Sequence, residues 1–135
     1  MELRISSDPR WLRLVRTVIQ EVSRQAGFAE GERQQIALAV DEALANVIKH
    51  AYKGQPDGAV SVACDIADGS LAVVLRHRGE RFDPAGAGGE LEPDELRSGG
   101  RGLFLMRAIM DEVEFDHDGA DSVVRLRKYV RAPAQ

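Results

Sequence analysis

The spacing of apolar residues changes three times along this chain of 135 residues, and that pattern constrains the fold more than any other feature. Up to about residue 52, most apolar residues recur at steps of three and four, which predicts helices. From Val60 to Leu75 they alternate with polar or small residues, which predicts strands. Helical spacing returns at Leu103, and alternation returns at Val113. This order of elements is typical of an α+β protein.

The first half of the chain predicts a short strand and two helices. Leu3–Ser6 is the expected strand. Asp8 and Pro9 suit the N-cap and the first turn of a helix, which Gly27 would end. Apolar residues on one face then predict a second helix from about Glu32 to Tyr52.

The second half predicts two hairpins, separated by a glycine-rich segment and a helix. Asp68-Gly69 and Asp118-Gly119 are turn sequences between alternating segments. Pro84–Gly102 contains six glycines and six charged residues, which predicts a mobile loop. The following residues, Leu103–Met110, have helical spacing. We therefore expect one domain over residues 1–135, a two-layer α+β sandwich with helices on one face of a largely antiparallel sheet.

Composition excludes several classes of protein. The chain has 18 basic and 22 acidic residues, a net charge of −4, which argues against direct nucleic-acid binding. Cys64 is the only cysteine, so an intramolecular disulfide is excluded, and its place in a strand predicts a buried thiol. No apolar run approaches the roughly 18 residues of a membrane span. The N-terminus lacks the apolar core of a signal peptide, so we expect a cytoplasmic protein without membrane contact.

Glu42 and Asn46 form the first pattern with chemical potential. At about 100° per residue, Glu42, Asn46 and Lys49 lie on one face of the second predicted helix. A carboxylate can accept a proton from a hydroxyl, and an amide oxygen can bind Mg²⁺. The same spacing is common in helices, so a solvated helix face is the alternative interpretation.

The second pattern is Gly99-Gly100-Arg101-Gly102 at the start of a predicted helix. Glycines allow backbone N–H groups to approach an anion, and a helix N-terminus favours negative charge. The pattern is neither a P-loop nor a dinucleotide-binding fingerprint, because no Gly-Lys-Ser/Thr follows it and no strand precedes it. A flexible turn before a helix is the alternative.

Taken together, these segments resemble the GHKL ATPases, and most closely the bacterial anti-sigma-factor serine kinases. Val40–Tyr52 resembles the asparagine box of that family. Phe82-Asp83-Pro84 is similar to the end of its first glycine box, and Gly100–Met106 to its second. The boxes have the family's order and spacing, and the resemblance covers nearly the whole chain.

The resemblance implies a role for each matched residue. Glu42 matches the general base that accepts the proton of the attacking hydroxyl, and Asn46 matches the Mg²⁺ ligand. Gly79 matches the glycine that lets the chain pass close to adenine, and Ala85–Gly99 matches the ATP lid. A basic residue aimed at the terminal phosphate would be Arg97 or Arg101. The other residues expected to contact the nucleotide are Lys49, His50, His77, Phe82, Gly99, Gly100, Gly102 and Leu103.

His77 departs from the family pattern, which has an adenine-binding aspartate at this position. A neutral imidazole still offers one acceptor nitrogen, whereas a protonated one offers none. Two functions therefore remain open. The first is an ATP- and Mg²⁺-dependent serine/threonine kinase that phosphorylates a STAS-type anti-sigma-factor antagonist, with a sigma factor and a second copy of the chain as further partners. The second is a protein-binding module of the same fold in which ATP turnover is weakened or lost.

Overall fold

Five strands form one antiparallel sheet in the computed structural model, which describes residues 1–79 and 100–131. The strands are β1 (Glu2–Ser6), β2 (Ala59–Ala67), β3 (Ser70–His77), β4 (Glu112–Asp118) and β5 (Asp121–Tyr129). Their order across the sheet is β1-β2-β3-β5-β4. The central strand β3 pairs with β2 on one side and with β5 on the other, and both ladders end at His77, which lies opposite Val60 and Ser122.

The helices are α1 (Leu12–Ala26), α2 (Glu30–Asn46) and α3 (Gly100–Ile109). A 3-10 turn, Pro9–Trp11, precedes α1, and a π-helical turn, Val47–Ala51, continues α2. The side chain of Asp8 accepts a hydrogen bond from the backbone N–H of Arg10, and Gly27 ends α1 with a φ of 103°. Both predicted boundaries of the first helical segment are therefore confirmed.

Alternate residues of each strand face the helices and form the core. On β3, Leu71, Val73 and Leu75 are fully buried, whereas Ala72 and Val74 between them are partly exposed. Buried residues from the helices complete the same core: Val15, Ile19, Ile36, Val40, Leu44 and Met106. The predicted α+β sandwich with helices on one face of the sheet is thus confirmed.

The second helical segment ends where predicted, but its last turn is not α-helical. The helix continues to Ala51, with Tyr52 as its C-cap, whereas the α-helical hydrogen bonds end near Asn46. Tyr52 then donates its backbone N–H to the carbonyl of Val47, 3.1 Å away and five residues back, which is a π-helical bond. Helix α3 begins at Gly100, so the last residues of the expected loop, 100–102, belong to a helix.

Two further expectations concern Cys64 and membrane contact. Cys64 is 6% exposed, so the predicted buried thiol is confirmed, and this burial raises its pKa to about 11. Among the described helices, none has the length and apolar character needed to cross a membrane.

Candidate functional site

Glu42 and Asn46 lie one turn apart on α2 and face the start of α3. Glu42 is half-buried, and Asn46 is 8% exposed. A Cβ atom at Gly102 would lie 3.0 Å from Oε2 of Glu42 and 3.3 Å from Nδ2 of Asn46. Because glycine has no Cβ, the first turn of α3 can approach the carboxylate and the amide directly. The structure therefore brings Gly102 next to two residues of α2 that are distant from it in the sequence.

Gly79 lies against Ala51, at the C-terminal end of the helical stretch that contains Glu42 and Asn46. It follows β3, and a Cβ atom at this position would lie 2.5 Å from the carbonyl oxygen of Ala51. No side chain fits in that space. The segment after β3 therefore packs directly on the π-helical turn that extends α2. Gly102 and Gly79 thus contact the same helical stretch, Gly102 at Glu42 and Asn46 and Gly79 at its C-terminal end.

Lys49 and His50 lie within this π-helical turn, between Asn46 and Ala51. Lys49 is exposed, and His50 is partly buried. Burial lowers the pKa of His50, and the positive charge of Lys49 lowers it further. At neutral pH the His50 imidazole is therefore mainly neutral and can accept a hydrogen bond at one nitrogen.

His77 is the last residue of β3, and it is 3% exposed. Alternate residues of a strand point to the same face, so the side chain of His77 lies on the helix-facing side of the sheet with those of Val73 and Leu75, and the side chain of Arg76 lies on the other side. The ring of Tyr52 lies edge-on to it, with 6.3 Å between the ring centroids. Burial lowers the pKa of His77; the charge of Asp121 opposes this shift, and His117 adds to it. The net effect favours the neutral imidazole.

Tyr52 is a further residue of this region, which the sequence analysis did not identify. Its hydroxyl donates a hydrogen bond to the carbonyl of Ala59 at 2.6 Å and accepts one from the backbone N–H of Arg78 at 2.9 Å. Its ring fills the space beside Gly58. These partners are seven and 26 residues away in the sequence, so no local pattern could have identified the contacts.

Several predicted site residues lie outside the described residues or are described only by their backbone. Phe82, Arg97 and Gly99, together with the rest of the expected lid (residues 85–99), lie outside the described residues. Gly100 and Arg101 form the first turn of α3, and only their backbone is described. Leu103 follows Gly102 and is 6% exposed within the core.

The chain is similar in sequence to one protein family and to several curated relatives. The family model described as the histidine kinase-like ATPase domain matches residues 5–128. The serine-protein kinase RsbW of Listeria innocua is 33% identical over 135 residues, covering 95% of this chain and 85% of the relative. The serine-protein kinase RsbW of Bacillus subtilis is 30% identical, covering 96% of this chain and 85% of the relative.

Solved structures of other proteins share the fold of this chain. The RsbU and RsbW domains of a Mycobacterium tuberculosis protein match with a TM-score of 0.66 and 19% identity; the match covers all of this chain but only 34% of that one. The histidine kinase AdeS of Acinetobacter baumannii matches with a TM-score of 0.54 and 13% identity, covering 96% of this chain and 68% of the other. At such identities the likeness establishes the fold alone.

Proposed function

Because this chain belongs to the family of histidine kinase-like ATPase domains, we propose that it is an anti-sigma-factor-type serine/threonine kinase that uses ATP and Mg²⁺. The membership confirms the family resemblance found in the sequence. Curated relatives that match most of this chain are named serine-protein kinases, which supports the proposed activity. The acceptor would be a serine or threonine of a STAS-type anti-sigma-factor antagonist. A sigma factor and a second copy of the chain are the further proposed partners.

The approach of Gly102 to Glu42 and Asn46 is the observation that supports this proposal most directly. The first N–H groups of a helix have no partner within the helix, and the helix dipole places positive partial charge there. At α3 these groups lie beside a carboxylate and an amide. A phosphate bound at this helix start would therefore be next to a proton acceptor and a metal-binding amide, which is the combination that phosphoryl transfer to a hydroxyl requires.

The same residues suit Mg²⁺. Carboxylate and amide oxygens are the hard ligands that this ion prefers. Among the residues that the structure describes, no group of three or more His, Cys, Asp or Glu could hold a metal ion. A cation at Asn46 would therefore share its coordination with nucleotide phosphates and water, as Mg²⁺ usually does. When bound, the ion neutralises phosphate charge.

The remaining roles belong to residues of the chain itself. Glu42 orients the acceptor hydroxyl and accepts its proton, and the N–H groups at the start of α3 hold phosphate oxygens. Asn46 would bind the cation through its amide oxygen. Gly79 lets the chain after β3 pack against Ala51, and the base would bind beside this segment.

The test is transfer of the γ-phosphoryl group to a candidate antagonist. The purified protein would be incubated with γ-labelled ATP, Mg²⁺ and STAS-domain proteins from neighbouring genes, and the labelled residue identified by mass spectrometry. We expect label on one serine or threonine, and none when that residue is replaced by alanine or when EDTA is added. Binding of ATP-Mg²⁺ without transfer to any such protein would contradict the kinase assignment.

A second candidate function follows from His77. A buried, mainly neutral histidine replaces the aspartate expected from the family resemblance, so this chain could serve as a protein-binding module with little or no ATP turnover. In that case a sigma factor or antagonist should bind with the same affinity in the presence and absence of ATP. A nucleotide-dependent affinity would favour the kinase.

A further inference from the structure

Tyr52 connects three separate segments at the end of the helical stretch that contains Glu42 and Asn46. Its backbone N–H closes the π-helical turn by donating to Val47. Its hydroxyl reaches the start of β2 at Ala59 and the segment after β3 at Arg78, with both bonds shorter than 3.0 Å. A single phenol oxygen therefore joins the end of the helix, the first residue of β2 and the chain that leaves β3.

The bond to Arg78 matters because of where β3 ends. Both of its ladders stop at His77, so the N–H of Arg78 is the first beyond the sheet. The hydroxyl of Tyr52 accepts that N–H at 2.9 Å. The next residue, Gly79, packs against the carbonyl of Ala51 with no room for a side chain. Two adjacent residues, Ala51 and Tyr52, thus hold the Arg78-Gly79 segment in place.

We propose that Tyr52 is a positioning residue for the nucleotide, and that its hydroxyl holds the Arg78-Gly79 segment at the distance from the helix that binding requires. This inference rests on the proposed function, since it assumes that a nucleotide binds beside Gly79. Tyr52 acts through the backbone of Arg78 and is not assigned a contact with the reacting atoms.

Loss of the hydroxyl leaves the ring in place, because phenylalanine has the same shape. The N–H of Arg78 and the carbonyl of Ala59 then lose their partner, and the segment becomes less well ordered before the nucleotide binds. Binding must then supply the ordering, so affinity falls. We expect a 3- to 10-fold weaker affinity for ADP, roughly the effect of one net hydrogen bond.

The experiment compares Tyr52→Phe with Tyr129→Phe. The chain has two tyrosines, and the hydroxyl of Tyr129 donates to Oε1 of Glu112 at 3.0 Å, at the opposite end of the sheet. Both variants therefore lose one phenol hydrogen bond. Dissociation constants for Mg²⁺-ADP would be measured by calorimetry, the midpoint of unfolding by urea, and exchange of the Arg78 amide by NMR without nucleotide.

We expect weaker ADP binding and faster exchange of the Arg78 amide in Tyr52→Phe alone. An unchanged dissociation constant in Tyr52→Phe, with normal binding by the unsubstituted protein, would overturn the inference and leave the proposed function standing. Equal weakening in both variants, an unchanged Arg78 exchange rate or an unfolded Tyr52→Phe would also overturn it, since each indicates a general structural role. Failure of the unsubstituted protein to bind any adenine nucleotide would overturn the proposed function and this inference with it.

Discussion

Asp41 and Glu42 are consecutive carboxylates on α2 that face different neighbours. Oδ1 of Asp41 accepts a hydrogen bond from Nη2 of Arg16 on α1, 3.2 Å away. Glu42 points instead toward Gly102 at the start of α3. The two side chains have the same charge and nearly the same place in the sequence, so a comparison of their variants separates a role at the site from a general effect of charge.

Glu42→Gln should abolish most phosphoryl transfer and leave nucleotide binding nearly intact. The amide keeps the shape of the side chain but cannot accept the hydroxyl proton, so we expect a loss of about 100-fold or more in kcat. The measurement is transfer to the antagonist, with the ADP dissociation constant determined in parallel. In the control, Asp41→Asn, only a partly exposed ion pair is lost, and kcat should stay near the unsubstituted value. A fully active Glu42→Gln would exclude Glu42 as the base.

Gly102→Ala should weaken nucleotide binding without unfolding the protein. The added Cβ would lie 3.0 Å from Oε2 of Glu42, so the carboxylate must move away from its present position. Gly31→Ala is the matched control, because Gly31 is also in a helix but has open space around its Cβ position. The control should be as stable as the unsubstituted protein or more so, by up to about 1 kcal/mol. Equal nucleotide affinities in the two variants would show that the close approach of Gly102 to Glu42 does not contribute to nucleotide binding.

His77 should make ATP binding depend on pH in a defined direction. Its pKa is lowered by burial, so the neutral acceptor form persists to below the ordinary value of 6.5. We expect a constant ATP affinity from about pH 8 to 6.5 and a loss of about 5-fold or more at lower pH, where a protonated ring would face the donor amine of adenine.

His77→Asp provides the comparison for that pH profile. An aspartate stays ionised over this range and keeps its acceptor, so the variant should bind ATP at low pH. His50, whose pKa is also lowered, is present in both proteins, and the difference between the two profiles therefore reports on His77. Identical profiles would show that His77 does not contact the base, and binding gained only in the variant would favour the binding-module function.

Lys128→Met should destabilise the fold through α3. The side chain of Lys128 is 9% exposed, and its Nζ donates to the carbonyl of Ile109 at 2.7 Å, at the end of α3. Methionine fills the space but leaves that carbonyl without its charged donor, which should cost about 1–3 kcal/mol in the free energy of unfolding. Arg125→Met, on the opposite face of β5, removes only an exposed ion pair with Asp116 and should cost less than about 1 kcal/mol. Urea denaturation of both variants provides the measurement, and equal losses would contradict the role of Lys128.

The layers of this fold could be predicted because side-chain direction follows from local spacing. Leu71, Val73 and Leu75 alternate in the sequence, and alternate residues of a strand share one face. The hairpin between β2 and β3 could likewise be predicted, since Asp68-Gly69 is a turn sequence between two alternating segments. Both features depend only on residues close together in the chain.

The π-helical turn and the contacts of Tyr52 could not be predicted, because neither leaves a local signal. Five residues are too few for apolar spacing to distinguish a π-helix from an α-helix. The partners of Tyr52 come from the start of β2 and from the segment after β3, and the approach of Gly102 to Glu42 depends on how α3 packs. For the site, the family resemblance predicts which residues belong together, whereas the distances between them depend on the packing of the whole fold.

The central position of β3 in the sheet determines which parts of this fold can unfold locally. Gly79 follows a strand that is hydrogen-bonded along both edges, which is the kind of element that opens only with the whole fold. Helix α3 is connected to the sheet near its C-terminal end, where Ile109 accepts from Lys128 and Asp111 donates to Arg127. A partial unfolding event that detaches α3 would therefore leave the proposed base-binding half of the site assembled, while the proposed phosphate-binding half would come apart.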